Sequence, residues 1–329
     1  MTSRSNIKIL LVSAFRAPFI EDDIRILGRR YILKQQIGHG ITAILKIIFR
    51  VFTADVVFCW FASVYAFAGV FIGKFLGKKT IVVVGGVDAA KDEELGYGIW
   101  LNPWKAKLVR YVFRNADRIL VVDPCLKEEA MRLAAYDGKN MVYVPTGFDV
   151  NFWRPGSEKE KKVLTVATVK DERTFRRKGI DTLIEAAVLL PEVEFTVIGV
   201  DTDIALNRRP PLNMKFHSKM PREKILPYYQ ESQVYCQPSR REGLPNALCE
   251  AMLCCCVPVA SEVSGNPTAV ADTGILVPAS DCAALAEGIK NALLMDQTAG
   301  MRARARVVAL FPIQKRESEL ARIIERFSG

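Results

Sequence analysis

Glu242 and Glu250 stand eight positions apart within Pro238-Ser239-Arg240-Arg241-Glu242-Gly243-Leu244-Pro245-Asn246-Ala247-Leu248-Cys249-Glu250-Ala251-Met252. A carboxylate accepts hydrogen bonds on both oxygens, which suits the vicinal hydroxyls of a sugar. Between the two lies a turn. A strand-length apolar run ends near Gln237, a short loop follows, and Pro245 sits where a first helical turn begins. Backbone amides of Gly243, Leu244 and Asn246 at such a turn attract a phosphate, and Gly243 lets the backbone approach closely. Two carboxylates bracketing an anion-binding turn suit a nucleotide sugar. The bland alternative is a capped helix with solvated glutamates.

Other chemistries are thinly supplied. There are two histidines, His39 and His217, so histidine triads and multi-histidine metal sites are nearly excluded. The eight cysteines contain no C-x-x-C pair, and three consecutive ones, Cys254, Cys255 and Cys256, cannot all point at one ion. They read as buried free thiols. The formal charge is +10, and it is uneven: residues 1–155 hold 22 Lys or Arg against 14 Asp or Glu. That surplus favours anionic partners. Nucleic acid is not expected among them, because neither zinc-finger spacing nor an aromatic RNP run is present.

The elements that must position these residues follow one rhythm. A length of 329 residues suits about two domains. Strand-length apolar runs recur at Lys8–Val12, Val56–Phe61, Thr80–Val84, Arg118–Val122 and Met141–Val144, with helical patterns such as Trp104–Arg114 and Leu126–Ala135 between them. Asn151–Lys162, with Pro155, Gly156 and a charge run, reads as a linker. The rhythm then restarts: strand Val163–Ala167, helix Gly179–Leu190, strand Glu194–Ile198, helix Arg222–Glu231, strand Val234–Cys236, helix Asn246–Leu253, strand Val257–Ala260 and helix Asp281–Leu294. The expected class is α/β: two doubly wound domains, 1–155 and 156–311, facing across a cleft. A last helix, 312–329, packs back on the first domain.

One stretch admits a second reading. Val56–Gly73 has no charge over 18 positions and contains Gly69-x-x-x-Gly73, a pattern also found where membrane helices pair. Strand–helix–strand is preferred, because the same rhythm continues on both sides. The polar start Met1–Asn6 lacks the flanks of a signal peptide.

The motif Glu242-x7-Glu250 resembles the signature of glycosyltransferase family 4, retaining enzymes of GT-B fold. Further segments resemble that family in order: Pro145-Thr146-Gly147-Phe148-Asp149, then Arg177-Lys178-Gly179-Ile180-Asp181, Val257-Pro258-Val259-Ala260-Ser261 and Asp272-Thr273-Gly274-Ile275-Leu276-Val277. The likeness covers the C-terminal half nearly throughout and the N-terminal half mainly in rhythm. It implies that Glu250 accepts from the ribose hydroxyls of a nucleotide-diphosphate sugar and that Glu242 holds the transferred sugar. Gly243, Leu244, Pro245 and Asn246 would contact sugar and diphosphate. Lys178 would neutralise the departing diphosphate. The family pairs that lysine with an upstream arginine. Arg173 is the first choice here, with Lys170 and Arg177 as alternatives. No metal or other cofactor is implied. Asp201-Thr202-Asp203 copies a metal motif of the other glycosyltransferase fold, yet in this architecture it falls on a surface loop.

The first half departs from the pattern. Where many members place a histidine, this chain has Gly85-Gly86-Val87-Asp88, offering acceptor or sugar contacts from Gly85, Gly86 and Asp88, or simply a tight Asx turn. Trp100, Trp104, Lys105, Lys107, Arg110 and Arg114, with Arg25, Arg29, Arg30 and Lys34, suit an anionic membrane surface and a lipid-linked acceptor at the inner membrane face. The competing reading is a soluble cytoplasmic enzyme whose helix buries Trp104, Leu108, Tyr111 and Val112. Rival functions are a GT-B epimerase or phosphorylase and a non-catalytic nucleotide-sugar binder. An NAD oxidoreductase is weaker, since no Gly-x-Gly-x-x-Gly follows the first strand.

Overall fold

The structure, a computed structural model, describes residues 5–156 and 158–327. The start Met1–Asn6 and the end of the 312–329 helix lie partly outside them. Two compact units result: Met1–Gly147 with Ile313–Gly329, and Phe148–Pro312.

The first unit runs β1 (Lys8–Ser13), α1 (Pro18–Arg30), β2 (Ile32–Ile37), α2 (Ile41–Val51), β3 (Val56–Trp60), α3 (Val64–Phe75) and β4 (Lys79–Val84). It continues with α4 (Pro103–Asn115), β5 (Arg118–Val121), α5 (Pro124–Ala134) and β6 (Met141–Tyr143). Its sheet is parallel, in the order β2-β1-β3-β4-β5-β6. β3 and nearly all of β4 are buried along their length, as a strand covered on both faces must be. β2, an edge strand reading Ile-Leu-Lys-Gln-Gln-Ile, has no such apolar run.

The second unit runs β7 (Glu160–Val169), α6 (Glu172–Arg177), α7 (Ile180–Val188), β8 (Glu194–Val200), α8 (Thr202–Leu206), β9 (Met214–His217) and α9 (Arg222–Glu231). Then follow β10 (Ser232–Gln237), α10 (Asn246–Leu253), β11 (Val257–Ser261), α11 (Asn266–Val270), β12 (Ile275–Val277), α12 (Cys282–Leu294) and α13 (Gln297–Leu310). The strand order is β12-β11-β10-β7-β8-β9, again all parallel. Residues 148–155 belong to this unit. Trp153 is buried 5.4 Å from the Tyr229 ring, and Arg304 donates to the carbonyls of Val150 and Trp153.

The helix α14 (Ile313–Glu325) returns to the first unit. Arg316 anchors it: Nε and Nη2 each lie 2.6 Å from a carboxylate oxygen of Asp23 on α1, and Nη1 donates to the Val144 and Pro145 carbonyls.

The uncharged stretch is β3, α3 and the turn between them. Ser63 caps α3 by accepting from the Ala66 amide. No helix among the described residues is long and apolar enough to cross a membrane. The glycine pair serves the sheet. A Cβ on Gly69 would lie 3.0 Å from Val57 Cγ1, and one on Gly73 would lie 2.9 Å from Thr80 Cγ2. Small residues let α3 settle onto β3 and β4.

Candidate functional site

In the second sheet the chain leaves β7 toward β8 and β9 on one side, and leaves β10 toward β11 and β12 on the other. The β7/β10 pair is therefore the topological switch point, where crossover connections diverge and leave a crevice beyond the strand ends. Lys178 comes from the connection after β7, and Glu242 from the loop after β10.

Local structure fixes both. Asp171 caps α6, its side chain accepting from the Thr174 amide at 2.7 Å. The short helix stops at Arg177, and Gly179 turns left-handed at φ +66°. A side chain at Gly179 would place Cβ 1.9 Å from the Pro238 carbonyl oxygen, so only glycine lets the two loops meet. They are then fastened: the Arg240 amide donates to the Arg177 carbonyl at 2.8 Å, and Arg240 Nη2 reaches Asp181 Oδ2 at 2.7 Å.

Glu242 is held by three donors on one oxygen. Lys178 Nζ lies 2.5 Å from Oε1, Ser239 Oγ 2.7 Å and Gln237 Nε2 2.8 Å. Burial alone would push this carboxyl up. The charges of Lys178 and Arg177, with the hydrogen bonds of Lys178 and Ser239, outweigh that and hold it below its usual value. Glu242 is thus a fixed carboxylate beside a fixed ammonium.

Glu250 sits in α10 and is buried. Arg222 Nη2, from the start of α9, lies 3.3 Å from Oε1, and the Tyr229 hydroxyl donates to Oε2 at 3.3 Å. The solvated-glutamate alternative therefore fails for both residues. Tyr235 lies near both carboxylates; burial, together with the charges of Glu242 and Glu250, drives its hydroxyl well above the usual value. Between them Leu244 and Pro245 are buried, Gly243 and Asn246 half-buried, and α10 begins at Asn246.

Arg222, Tyr229, Gln237 and Ser239 were not singled out from the sequence. Arg222 and Tyr229 occupy an ordinary amphipathic helix 28 and 21 positions before Glu250, with nothing local to mark them. Two of the arginines of the basic loop have different surroundings. Arg173 is exposed on α6 and its charge bears on Asp171, whereas Arg177 is half-buried and its charge bears on both Asp171 and Glu242.

In the first unit, Asp88 is fully buried and both its oxygens are taken: Oδ2 by the Ala62 amide at 2.9 Å, Oδ1 by Gly85 and Gly86 at 3.1 and 3.0 Å. Burial pushes its carboxyl up to about 6, against those amides. It organises the turn instead of presenting a carboxylate outward. The room beside Gly85 is filled by the Phe61 ring, 2.6 Å from where a Cβ would stand. That ring pairs with half-exposed Phe15 at 5.5 Å, so the ends of β1 and β3, the switch point of this sheet, carry aromatic surface.

The chain resembles known proteins in sequence and in fold. Residues 149–307 match the family model described as "Glycosyl transferases group 1". The D-inositol 3-phosphate glycosyltransferase of Mycolicibacterium smegmatis is 27% identical over 228 residues, covering 64% of this chain and 52% of that protein. The alpha-maltose-1-phosphate synthase of the same organism is 28% identical over 237 residues, covering 63% and 60%. The chain thus spans only about half to three fifths of these relatives. Among solved structures, Anabaena HepE in complex with UDP-glucose superposes with a TM-score of 0.82 at 13% identity, covering 98% of this chain and 100% of that one. Two doubly wound parallel sheets with this likeness are the α/β GT-B two-domain fold.

Proposed function

We propose that the protein is a retaining glycosyltransferase of family 4. It moves a sugar from a nucleotide-diphosphate sugar to a hydroxyl of a lipid-linked or cell-surface glycan, without a metal cofactor, on an anionic membrane surface at the cytoplasmic side. One observation carries the reading: a mostly buried carboxylate, Glu242, clamped by Lys178 at the switch point of a doubly wound sheet. The match of residues 149–307 to a transferase family, and the UDP-glucose bound to HepE, support a nucleotide-sugar donor.

In this account the second unit takes the donor and the first the acceptor. Glu250 accepts from the ribose hydroxyls while Arg222 and Tyr229 hold it in place. Gly243, Leu244, Pro245 and Asn246 form the turn that meets the diphosphate. As the bond from the anomeric carbon to the diphosphate oxygen breaks, negative charge grows on the phosphate. Lys178 meets it, with Arg177 as second cation in place of Arg173. Fixed cations in a water-poor site stabilise such charge without reorganising. Glu242 orients both the sugar hydroxyls and Lys178. The acceptor hydroxyl oxygen then bonds to the anomeric carbon on the face the diphosphate has left, its O–H bond breaks, and the proton passes to the departing diphosphate oxygen.

The stereochemistry is open to test. With a bound donor and water or glycan as acceptor, early proton NMR spectra should show the product with the donor's anomeric configuration. An inverted anomer at first appearance would overturn the retaining assignment.

A further inference from the structure

Helices α2, α3 and α4 pack side by side, α3 in the middle, and cover one face of the first sheet. Right-handed crossovers that step from β2 through to β5 place all three on the same side. Each already buries an inner stripe: Ala43, Ile47 and Val51 on α2, Ala66, Gly69, Val70 and Gly73 on α3, and Ala106, Val109, Val112 and Phe113 on α4. The outward surface is apolar as well. Ile41, Phe49 and Phe75 are 75%, 72% and 83% exposed, and Leu45, Phe52 and Phe71 lie with them. Ile41, Leu45 and Phe49 follow one another at helical spacing, as do Phe71 and Phe75, so these are continuous stripes and not scattered side chains.

The two tryptophans of this region separate. Trp100 is buried, its indole donating to the Asp88 carbonyl at 2.8 Å, so it is no surface anchor. Trp104, at the start of α4, is exposed beside Lys105. Tyr111 of α4 instead packs against Phe67 and Phe71, joining α3 to α4. Of the second basic patch, Arg25 pairs with Asp22 and Arg30 with Glu325.

Charge decides what covers this face. The three helices contain no Asp or Glu and seven Lys or Arg: Lys46, Arg50, Lys74, Lys105, Lys107, Arg110 and Arg114. Among the described residues, only Lys74 of these has a carboxylate partner, Asp117. A second copy of this face would bring seven like charges against seven, which opposes self-pairing. Arg50, Arg110 and Arg114 donate to backbone carbonyls of Gln35, Leu133, Ala134 and Ala135 and keep their charge. Exposed phenylalanine, isoleucine and tryptophan on helices that carry only cations suit the boundary of an anionic bilayer, where rings enter the acyl region and cations stay at the phosphates.

We propose that the α2–α3–α4 face docks the protein on anionic membrane, with Ile41, Phe49 and Phe75 as its inserted side chains. This narrows the membrane partner named above to one surface and adds α2. It does not rest on the transfer chemistry.

The test is sedimentation of the full chain with phosphatidylcholine vesicles, with and without phosphatidylglycerol. Binding should require phosphatidylglycerol and weaken from low salt to high, since exposed charges are screened within about 10 Å at 0.1 M. Phe49→Asp combined with Phe75→Asp should cut the partition coefficient at least about tenfold. Leu212→Asp, at a fully exposed site on the second unit, should leave it unchanged. The proposal is overturned if the protein stays in the supernatant with anionic vesicles at low salt. It is equally overturned if neutral vesicles bind as well, if the double variant sediments like the parent, or if that variant alters only the oligomeric state. A nucleotide titration on the same preparation reports separately on the transferase reading.

Discussion

Replacing Lys178 with alanine should lower turnover by about 100- to 1,000-fold, the usual cost of removing one preorganised group from a developing oxyanion. Nucleotide-sugar affinity should fall much less, because on the proposed mechanism the charge that Lys178 meets grows only as the bond to the diphosphate breaks. The structure adds a second readout. Lys178 and Arg177 hold the Glu242 carboxyl below its usual value against burial. A depressed carboxyl stabilises the fold at pH above its ordinary range, and that stabilisation fades as pH falls through the folded value. Without Lys178 much of it disappears, and the acid limb of the activity profile should move to higher pH. Steady-state kinetics across pH, with calorimetric donor binding, separate the effects. Equal losses in affinity and turnover would make Lys178 a binding residue only.

The second large effect is on stability. Arg316 and Asp23 are both almost wholly buried, with two contacts of 2.6 Å. The Trp60 indole also donates to Asp23 at 2.9 Å, and the guanidinium lies 5.5 Å from the Trp60 ring centroid. Removing one member of such a pair leaves the other charged and buried, at a cost of about 3–5 kcal/mol. Arg316→Met should therefore destabilise the first unit by that amount in chemical denaturation. Adding Asp23→Leu should recover part of the loss, because no buried charge is then left alone. A cost below about 1 kcal/mol for the single variant would mean that α14 is not held by this pair.

Much of the fold could be read from apolar runs, for a physical reason. Strands buried on both faces are apolar throughout, so β3 and β4 declare themselves, as does α10, whose limits Asn246–Leu253 match the expected helix. β2 escaped because an edge strand with Lys34, Gln35 and Gln36 carries no such run. The Gly69–Gly73 spacing suits a membrane helix and a helix on a sheet equally, and only the Val57 and Thr80 contacts decide between them. Glu242 and Glu250 were visible as a spacing and Lys178 as a motif residue, whereas the pairing of Lys178 with Glu242 and of Arg222 and Tyr229 with Glu250 was not. Lys178 is 64 positions from Glu242 in the chain, and only the pairing of β7 with β10 brings them together. Similarly, composition shows that the first half is basic. It does not show that Trp104 faces outward while Trp100 turns in, since both have the same side chain and only packing distinguishes them.

The central claim is that the second unit binds a nucleotide-diphosphate sugar with Glu250 on the ribose. Isothermal titration of the full chain with UDP-, GDP- and ADP-sugars tests it most directly. One of these should bind saturably, and Glu250→Ala, confirmed as folded, should bind it about 10- to 150-fold more weakly, the value of one charge-assisted hydrogen bond of roughly 1.5–3 kcal/mol. No binding of any of the three by the folded parent, or an unchanged affinity in the variant, would contradict the account.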